Sequence, residues 1–139
     1  MFHMDTKFLI VDDIPNMRRI IKKILLDLGY STIYEADDGT SAMDVLIQEA
    51  STPEPIGVIL CDWMMPLMKG IDLLKSCKDS PQFKSIPFIM LTGKSEYNQI
   101  IEAALLDVSE YLVKPFSPDA LKQKLVRAYN KHNVKIKIA

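Results

Sequence analysis

Five side chains suited to phosphoryl chemistry occur at separate points of the sequence. Asp12 and Asp13 follow the apolar run FLIV, Asp62 follows GVILC, Thr92 follows PFIML, and Lys114 follows YLV. Three carboxylates held together repel one another unless a cation offsets their charge, and Mg²⁺ prefers oxygen ligands of this kind. A hydroxyl and an ammonium group can bind the oxygens of a phosphoryl group. Brought to one place, these residues would form a Mg²⁺-assisted phosphoryl-transfer site.

Each of these residues has a simpler interpretation when it is taken alone. An Asp pair before a helix is often an N-cap, Thr-Gly is ordinary turn chemistry, and a Lys before Pro is usually solvated. The functional hypothesis therefore rests on the coincidence of all five at the ends of four predicted strands. Asp62 is the lone carboxylate after the middle run, and it is the candidate nucleophile because a carboxylate can attack phosphorus to form an acyl phosphate.

Five short apolar runs predict the strands that position these residues, over 7–11, 31–36, 57–61, 87–91 and 110–113. The first, third and fourth are continuously apolar, as in strands buried on both faces of a parallel sheet. Strand and helix alternate five times, which predicts an α/β, doubly wound (βα)5 fold with a five-stranded parallel sheet. In such a sheet the site lies at the carboxyl ends of the strands, where the strand order reverses.

Helical periodicity fills the intervals between the strands. The first helix is predicted within 16–30 and stops at Gly29, weaker helices fit 39–49 and 68–77, and the last begins with Ser117 as N-cap. We expect the tail 132–139 to be a frayed terminus, with a short strand as the alternative. The fourth helix, which begins near Ser95, has an apolar stripe made of Tyr97, Ile100, Ile101, Ala104, Leu105 and Val108.

Composition restricts the class of protein. The 139 residues carry a formal net charge of −1, which does not favour nucleic acid or an anionic membrane as a partner. The chain has no apolar run near the roughly 20 residues of a membrane span and no signal peptide. Cys61 and Cys77 lack metal-ligand spacing, so we expect buried thiols in a cytoplasmic protein. We expect residues 1–139 to form a single domain with a core of about 7–131.

Four motifs together resemble the receiver domain of two-component response regulators, over about residues 7–131. They are FLIVDDIPNMRRI, CDWMMP, MLTGK and YLVKPF. Within that family the chain resembles most the stand-alone chemotaxis regulators of the CheY type, through MRRI, Trp63 and YLVKPF. The resemblance implies a flavodoxin-like, CheY-like fold.

The resemblance also implies roles for the acidic residues. Asp62 would be the phospho-acceptor, and Asp13 and Asp62 would ligate Mg²⁺ directly. The backbone carbonyl of Met64 would be a further metal ligand, and Asp12 would reach the ion through water.

By the same resemblance, Thr92 and Lys114 would bind the phosphoryl group. Tyr111 would turn inward when Thr92 moves, which would change a surface formed by the fourth helix, fifth strand and fifth helix. The Lys114–Pro115 peptide would be cis.

The resemblance implies a switch that acts by binding other proteins. It would not be a turnover enzyme, although it would promote its own phosphorylation and dephosphorylation. Its phosphodonor would be a histidine kinase of the CheA type or a small molecule, and its target a separate protein such as the flagellar motor switch, with a phosphatase as a further candidate partner. We expect a monomer. A stand-alone receiver in a phosphorelay outside chemotaxis is the alternative.

The sequence departs from the family pattern at several positions. Met68, Lys69 and Gly70 replace the common Met-Asp-Gly, and the segment before the fifth strand lacks a Gly-Ala pair, so Asp107 is expected to adopt a left-handed turn. Met64 and Lys94 occupy positions that, in the family, tune the phosphoryl lifetime.

Three other classes of protein fit the residues less well. A haloacid-dehalogenase-type phosphatase requires an acid two positions after its nucleophile, where this chain has Ile14 or Met64. A flavodoxin-like cofactor binder requires a phosphate loop after the first strand, and DDIPN would repel a phosphate. A pseudo-receiver without phosphorylation would not need the complete set of five residues.

Overall fold

The computed structural model describes residues 1–65, 67–93 and 97–138. Lys94 and Ser95 lie outside the described residues, as do the side chains of Tyr97 and Ile100 from the predicted stripe. The elements, in chain order, are β1 (Lys7–Val11), α1 (Pro15–Asp27), β2 (Ile33–Ala36), α2 (Gly39–Ala50), β3 (Ile56–Asp62), α3 (Gly70–Lys78), β4 (Phe88–Thr92), α4 (Tyr97–Leu105), β5 (Glu110–Val113) and α5 (Pro118–Ile138).

The five strands form one parallel sheet in the order β2-β1-β3-β4-β5. The strand order reverses between β1 and β3, and ligands of doubly wound folds bind at the carboxyl ends of the strands beside such a point. The register pairs Val11 with Cys61, Asp62 with Leu91, and Thr92 with Val113. The predicted α/β fold is confirmed, and the ends of four strands are level with one another.

Two apolar clusters cover the two faces of the sheet. One lies under α2 and α3 and includes Trp63 and Phe88, and the other lies under α1 and α5 and includes Phe8 and Leu60. β1, β3 and β4 are buried along almost their whole length. This confirms the prediction from their continuous apolar runs, because strands covered on both faces have no solvent side. In the part of the chain that the structure describes, no helix is long and apolar enough to cross a membrane.

The core extends closer to the N-terminus than the expected boundary at residue 7. Phe2 is only 8% exposed and packs edge-on against Phe8 and Tyr129. The buried Tyr30 hydroxyl donates to the Phe2 carbonyl oxygen at 2.8 Å. Tyr30 reaches this position because the chain turns at Gly29, two residues after the end of α1, with a φ of 103° that side chains rarely adopt.

The last helix begins as predicted and continues further than predicted. Ser117 caps α5, since its hydroxyl oxygen accepts from the Ala120 backbone N–H at 3.1 Å. The short strand that was the alternative for the tail is wrong, because α5 runs through Ile138. Each residue added to an existing helix gains a hydrogen bond without a new nucleation cost, and no Gly or Pro follows Pro118.

The exposed face of α4 differs from the predicted stripe. Ile101 is 46% and Leu105 82% exposed, whereas Ala103 is buried and Leu106 and Val108 pack against the core. The prediction that Ile101, Ala104 and Leu105 face the core is therefore wrong. Two adjacent faces of this segment are apolar, so periodicity alone did not decide which one packs against the sheet.

Candidate functional site

The structure brings the five predicted residues to one edge of the sheet. Asp62 is the last residue of β3 and Thr92 the last residue of β4, while Asp12 and Lys114 directly follow β1 and β5. Asp13 follows Asp12 at the start of the loop to α1. Because the strands are parallel and level, residues separated by up to 102 positions meet there.

Three carboxylates are close enough to share one cation. Asp12, Asp13 and Asp62 each place a carboxylate oxygen within 4.8 Å of the other two. Asp12 and Asp62 are buried, whereas Asp13 is exposed, so the cluster opens to solvent on one side. Oxygen ligands from a few carboxylates, completed by water, suit Mg²⁺.

The ammonium of Lys114 lies between the two buried carboxylates. Its Nζ is 2.9 Å from Asp12 Oδ2 and 3.2 Å from Asp62 Oδ1. The site thus contains three carboxylates and one ammonium, and this balance leaves two negative charges for a divalent cation to offset. Burial lowers the pKa of Lys114, but the hydrogen bond to Asp12 and the charge of Asp62 outweigh it, so the pKa is raised.

The pKa of Asp62 is raised, and burial is the largest cause. The charge of Lys114 opposes this rise, and the charge of Asp12 adds to it. A carboxyl group attacks as the ionised form. A divalent cation beside it would favour the ionised form and lower its pKa.

The backbone around the site fixes the position of Asp12. Its Oδ1 accepts from the Ile14 N–H at 2.9 Å, while its Oδ2 accepts from Lys114. Arg18 Nη1 donates to the Asp12 carbonyl oxygen at 2.7 Å. Asp12 therefore forms a local turn and does not cap α1, whose N-cap residue is Ile14. The simple N-cap interpretation of the Asp pair is not what the structure shows.

The loop from β3 to α3 depends on Gly70. The Trp63 N–H donates to the Leu91 carbonyl at 2.8 Å, and the Gly70 N–H donates to the Trp63 carbonyl at 2.9 Å. A Cβ on Gly70 would overlap the carbonyl oxygen of Asp62. The absence of a side chain thus lets the chain return directly over the candidate nucleophile. Sequence analysis noted Gly70 only as part of a departing motif.

The same loop contains two exposed apolar residues beside the carboxylates. Leu67 is 89% exposed and has a φ of 67°, a left-handed conformation that costs an L-residue roughly 1–2 kcal/mol. Met64, two residues after Asp62, also exposes its side chain. The strain at Leu67 was missed because no sequence signal marks a leucine with positive φ.

Thr92 and Tyr111 lie on the same face of the sheet. Thr92 is buried, and its carbonyl accepts from the Lys114 N–H at 2.6 Å. Tyr111 pairs with Met90, two positions before Thr92, so both side chains project to the face of the sheet that carries Trp63 and Phe88. Tyr111 is 36% exposed at the edge strand.

Lys124 of α5 reaches Tyr111 around the sheet edge, with its Nζ 5.1 Å from the ring centroid. Lys124 Nζ is also 3.3 Å from Glu110 Oε1. Sequence analysis did not identify Lys124, because a lysine on an amphipathic helix carries no distinguishing signal.

Two details of backbone conformation agree with expectation. The Lys114–Pro115 peptide is cis, and Asp107 has a φ of 59°.

Comparison with known proteins gives consistent results. Residues 8–126 match the model of the response regulator receiver domain. The chain is 42% identical to chemotaxis protein CheY of Pseudomonas aeruginosa over 127 residues, which is 91% of this chain and 98% of that protein. It is 44% identical to chemotaxis protein CheY1 of Helicobacter pylori over 119 residues, 86% and 93% of the two chains.

Solved structures show the same similarity. Chemotaxis response regulator CheY4 of Vibrio cholerae superposes with a TM-score of 0.76 at 31% identity, over 89% of this chain and 98% of that one. A response regulator receiver domain protein from Clostridium thermocellum gives a TM-score of 0.81 at 26% identity, over 93% and 98%.

Proposed function

We propose, from the premise that this chain belongs to the response regulator receiver domain family, that it is a signalling switch operated by phosphorylation of Asp62. The observation that carries the proposal is the group of three carboxylates within 4.8 Å of one another, two of them bridged by Lys114. As a receiver domain of the CheY type, the chain is a signalling protein and not a turnover enzyme.

The donor set fits Mg²⁺. Asp13 and Asp62 would hold the ion together with the backbone carbonyl of Met64. Asp12 would act through water, which is supported by the hydrogen bonds that both its oxygens already accept. When bound, the ion offsets negative charge at the transferring phosphoryl group.

The phosphoryl transfer is written with Asp62 as nucleophile. A carboxylate oxygen of Asp62 attacks phosphorus of a phosphohistidine, the P–N bond breaks, and the donor imidazole leaves with a proton from solvent. Lys114 then pairs with a phosphoryl oxygen, and the Thr92 hydroxyl donates to another. Lys114 is suited to this role because its ammonium already lies 3.2 Å from Asp62 Oδ1.

The output of the switch is a change in a protein-binding surface. Thr92 moves toward the phosphoryl group and leaves space into which Tyr111 turns, which biases the surface formed by α4, β5 and α5. The exposed Ile101 and Leu105 of α4 support a surface that binds another protein.

The partners follow from the relatives, whose names place them in chemotaxis. We assign a histidine kinase of the CheA type as the donor and the flagellar motor switch as the target, with a phosphatase as a further partner. A phosphorelay outside chemotaxis is the alternative.

We propose a single receiver domain over 1–139 that acts as a monomer. Cys61 and Cys77 are buried free thiols, which supports a reducing compartment such as the cytoplasm.

Trp63 provides the test, because this buried tryptophan directly follows Asp62. Its fluorescence is recorded while Mg²⁺ is added and then beryllofluoride, an analogue of the acyl phosphate. We expect two successive changes in the native protein and loss of the second in Asp62→Asn. Acid-labile phosphate that persists in Asp62→Asn after incubation with acetyl phosphate would refute the assignment of the phospho-acceptor.

A further inference from the structure

A groove of about 810 Å³ lies at the end of the sheet opposite to the carboxylates. Its walls are the end of α3 with the loop to β4, the turn before β5, and the last turns of α5. We call it the basal groove. Its volume is in the range of about 300–1,000 Å³ that is typical of ligand pockets. β4 separates it from the site around Asp62 by about 15 Å, as five residues of strand require.

The walls of the basal groove are apolar. Ile86 and Pro87 come from the loop before β4, Val108 from the turn before β5, and Val134 from α5. Val134 is exposed, and Ile86 and Val108 are partly so, while Pro87 is buried. These residues present a concave apolar surface that an apolar side chain of a ligand can cover.

The rim of the basal groove is basic. Among the residues of the lining that the structure describes, Lys78, Lys84, Lys131 and His132 occur with one acid, Asp107. With His132 neutral, the lining residues carry two excess positive charges, although the whole chain has a net charge of −1. The rim is therefore a local concentration of positive charge.

Two of the rim lysines, Lys78 and Lys131, make hydrogen bonds that hold their ammonium groups at the groove. Lys78 Nζ donates to the Lys84 carbonyl at 3.4 Å, and Lys131 Nζ donates to the Ser109 carbonyl at 2.8 Å and to the Glu110 carboxylate. Each ammonium has three donors. Glu110 carries one negative charge but is shared by three cations, since Lys124 and Arg127 contact it as well.

We infer that the basal groove binds an acidic, amphipathic peptide segment of a partner protein. Its apolar side chains would cover Ile86, Val108 and Val134, and its carboxylates would face Lys78, Lys84 and Lys131. The rim lysines come from three separate elements around one apolar centre, so a matching ligand needs several carboxylates around an apolar side chain. A peptide with alternating acidic and apolar residues has this distribution, whereas a small monocarboxylate does not.

One wall of the basal groove, the one from α5, belongs to a part of this chain outside the match to the family. The family model ends at residue 126, and Lys131, His132 and Val134 lie beyond it on α5. The part of α5 beyond residue 126, as far as Val134, contributes this wall. The inference therefore concerns a second site, at the end of the sheet opposite to the phosphorylation site and beyond the part of α5 that contacts Tyr111.

The test uses a fluorescein-labelled peptide of alternating Glu and Leu and the full-length protein. Amide chemical shifts in ¹⁵N-labelled protein locate the binding site, and fluorescence anisotropy gives the affinity. We expect shifts around Lys84, Val108 and Ser109, and no binding by the same peptide with Lys in place of Glu. Binding should weaken as ionic strength rises to about 1 M, where the Debye length is about 3 Å.

Three variants separate charge from apolar contact. The double variant Lys78→Glu, Lys84→Glu should weaken peptide binding by about tenfold or more. The control Lys122→Glu makes the same charge change per residue at an exposed position of α5, and it should leave peptide binding unchanged. Val134→Lys adds positive charge but removes part of the apolar wall, so it weakens binding only if the peptide occupies the groove. Circular dichroism verifies that each variant is folded.

The result is independent of the proposed phosphorylation. Asp62→Asn should bind the peptide as well as the native protein does, so a failure of one proposal does not affect the other. Four outcomes would each overturn the inference. The first two are chemical shifts confined to another surface and equal binding of the Lys-containing peptide. The other two are tighter binding by Val134→Lys and saturable binding of benzoate in the groove without peptide binding.

Discussion

The ammonium of Lys124 joins the exposed ring of Tyr111 to the buried carboxylate of Glu110. Its Nζ is 5.1 Å from the ring centroid and 3.3 Å from Glu110 Oε1. Tyr111 and Glu110 are neighbours on β5, and their side chains project to opposite faces of the sheet. Lys124 thus holds the tyrosine at the edge of the sheet, in the outward orientation.

Replacement of Lys124 should therefore release Tyr111. In Lys124→Met the cation–π contact, about 0.5–1 kcal/mol at an exposed site, is lost while the apolar stem is kept. We expect the unphosphorylated protein to populate the inward tyrosine more often, measured by the ring chemical shifts of labelled tyrosine. Lys122→Met, at an exposed position of α5, is the control. Unchanged Tyr111 shifts in Lys124→Met would show that the lysine does not position the ring.

Gly70→Ala should disturb the candidate nucleophile. Alanine normally stabilises a helix relative to glycine, but here its Cβ would overlap the Asp62 carbonyl oxygen. We expect a loss of about 2 kcal/mol in the free energy of unfolding and weaker Mg²⁺ binding, measured by urea unfolding and by Trp63 fluorescence. Gly93→Ala is the matched control near the site, since nothing lies within 4 Å of its Cβ. Equal stability of the two variants would contradict the overlap.

Leu67→Gly should stabilise the protein. Leucine at a φ of 67° is strained, and glycine relieves the strain, so we expect a gain of about 1 kcal/mol, reduced by the greater freedom of glycine in the unfolded chain. Ile47→Gly, at an exposed position in the interior of α2, should instead destabilise by roughly 0.5 kcal/mol. If the backbone strain at Leu67 is real, urea unfolding should show a higher free energy of unfolding for Leu67→Gly and a lower one for the helix variant, each relative to the native protein.

Glu110 should make stability depend on pH in the acid range. Burial raises its pKa, but the hydrogen bonds and charges of Lys131 and Lys124 outweigh burial and hold the pKa below the ordinary value. The folded state therefore binds the proton less readily than the unfolded state. The stabilisation is complete above the unfolded pKa of about 4.3 and is lost as pH falls through the lower folded pKa.

Glu110→Gln tests this dependence. The variant should lose about 2 kcal/mol of unfolding free energy at pH 7, and its difference from the native protein should shrink below about pH 4. Urea unfolding at a series of pH values measures the difference. Glu102→Gln, which removes an exposed carboxylate 3.9 Å from Lys75, should show little change at any pH. If the difference in unfolding free energy between Glu110→Gln and the native protein grew on acidification, the pKa of Glu110 would not be lowered by folding.

Lys114→Ala should bind Mg²⁺ more tightly while losing its response to phosphorylation. The ammonium lies within 3.2 Å of two carboxylates of the cluster, so its removal takes away a like charge from the cation, worth about 1 kcal/mol at 4 Å in water. Mg²⁺ titration of Trp63 fluorescence measures the affinity, with Lys22→Ala as the control on α1. Weaker Mg²⁺ binding would mean that Lys114 organises the carboxylates and does not compete with the ion.

The sequence predicted most of the fold and the site, for physical reasons that are specific to certain residues. Continuous apolar runs mark β1, β3 and β4 because both faces of these strands are covered. Asp12, Asp62, Thr92 and Lys114 directly follow or end such strands, so their convergence follows from topology alone.

Other features could not be read from the sequence because they depend on tertiary packing. The core-facing side of α4 was assigned wrongly, since Ala103 and Ile101 are both apolar and the sheet selects between them. The continuation of α5 through Ile138 is decided by helix propagation, whereas the alternation in VKIKIA is typical of a strand. The overlap that Gly70 avoids involves a carbonyl eight residues earlier in the chain, and sequence patterns carry no information on such distances.

The hydrogen bond from Lys114 to Asp12 spans 102 positions, and this has a consequence during translation. Ribosomes release the N-terminal part of a chain first, so Asp12, Asp13 and Asp62 emerge well before β5 is synthesised. Until Lys114 has left the exit tunnel and β5 has joined the edge of the sheet, the carboxylates lack the ammonium that offsets one of their three charges. A nascent or truncated chain that ends before β5 therefore carries the three carboxylates without the ammonium that lies between two of them.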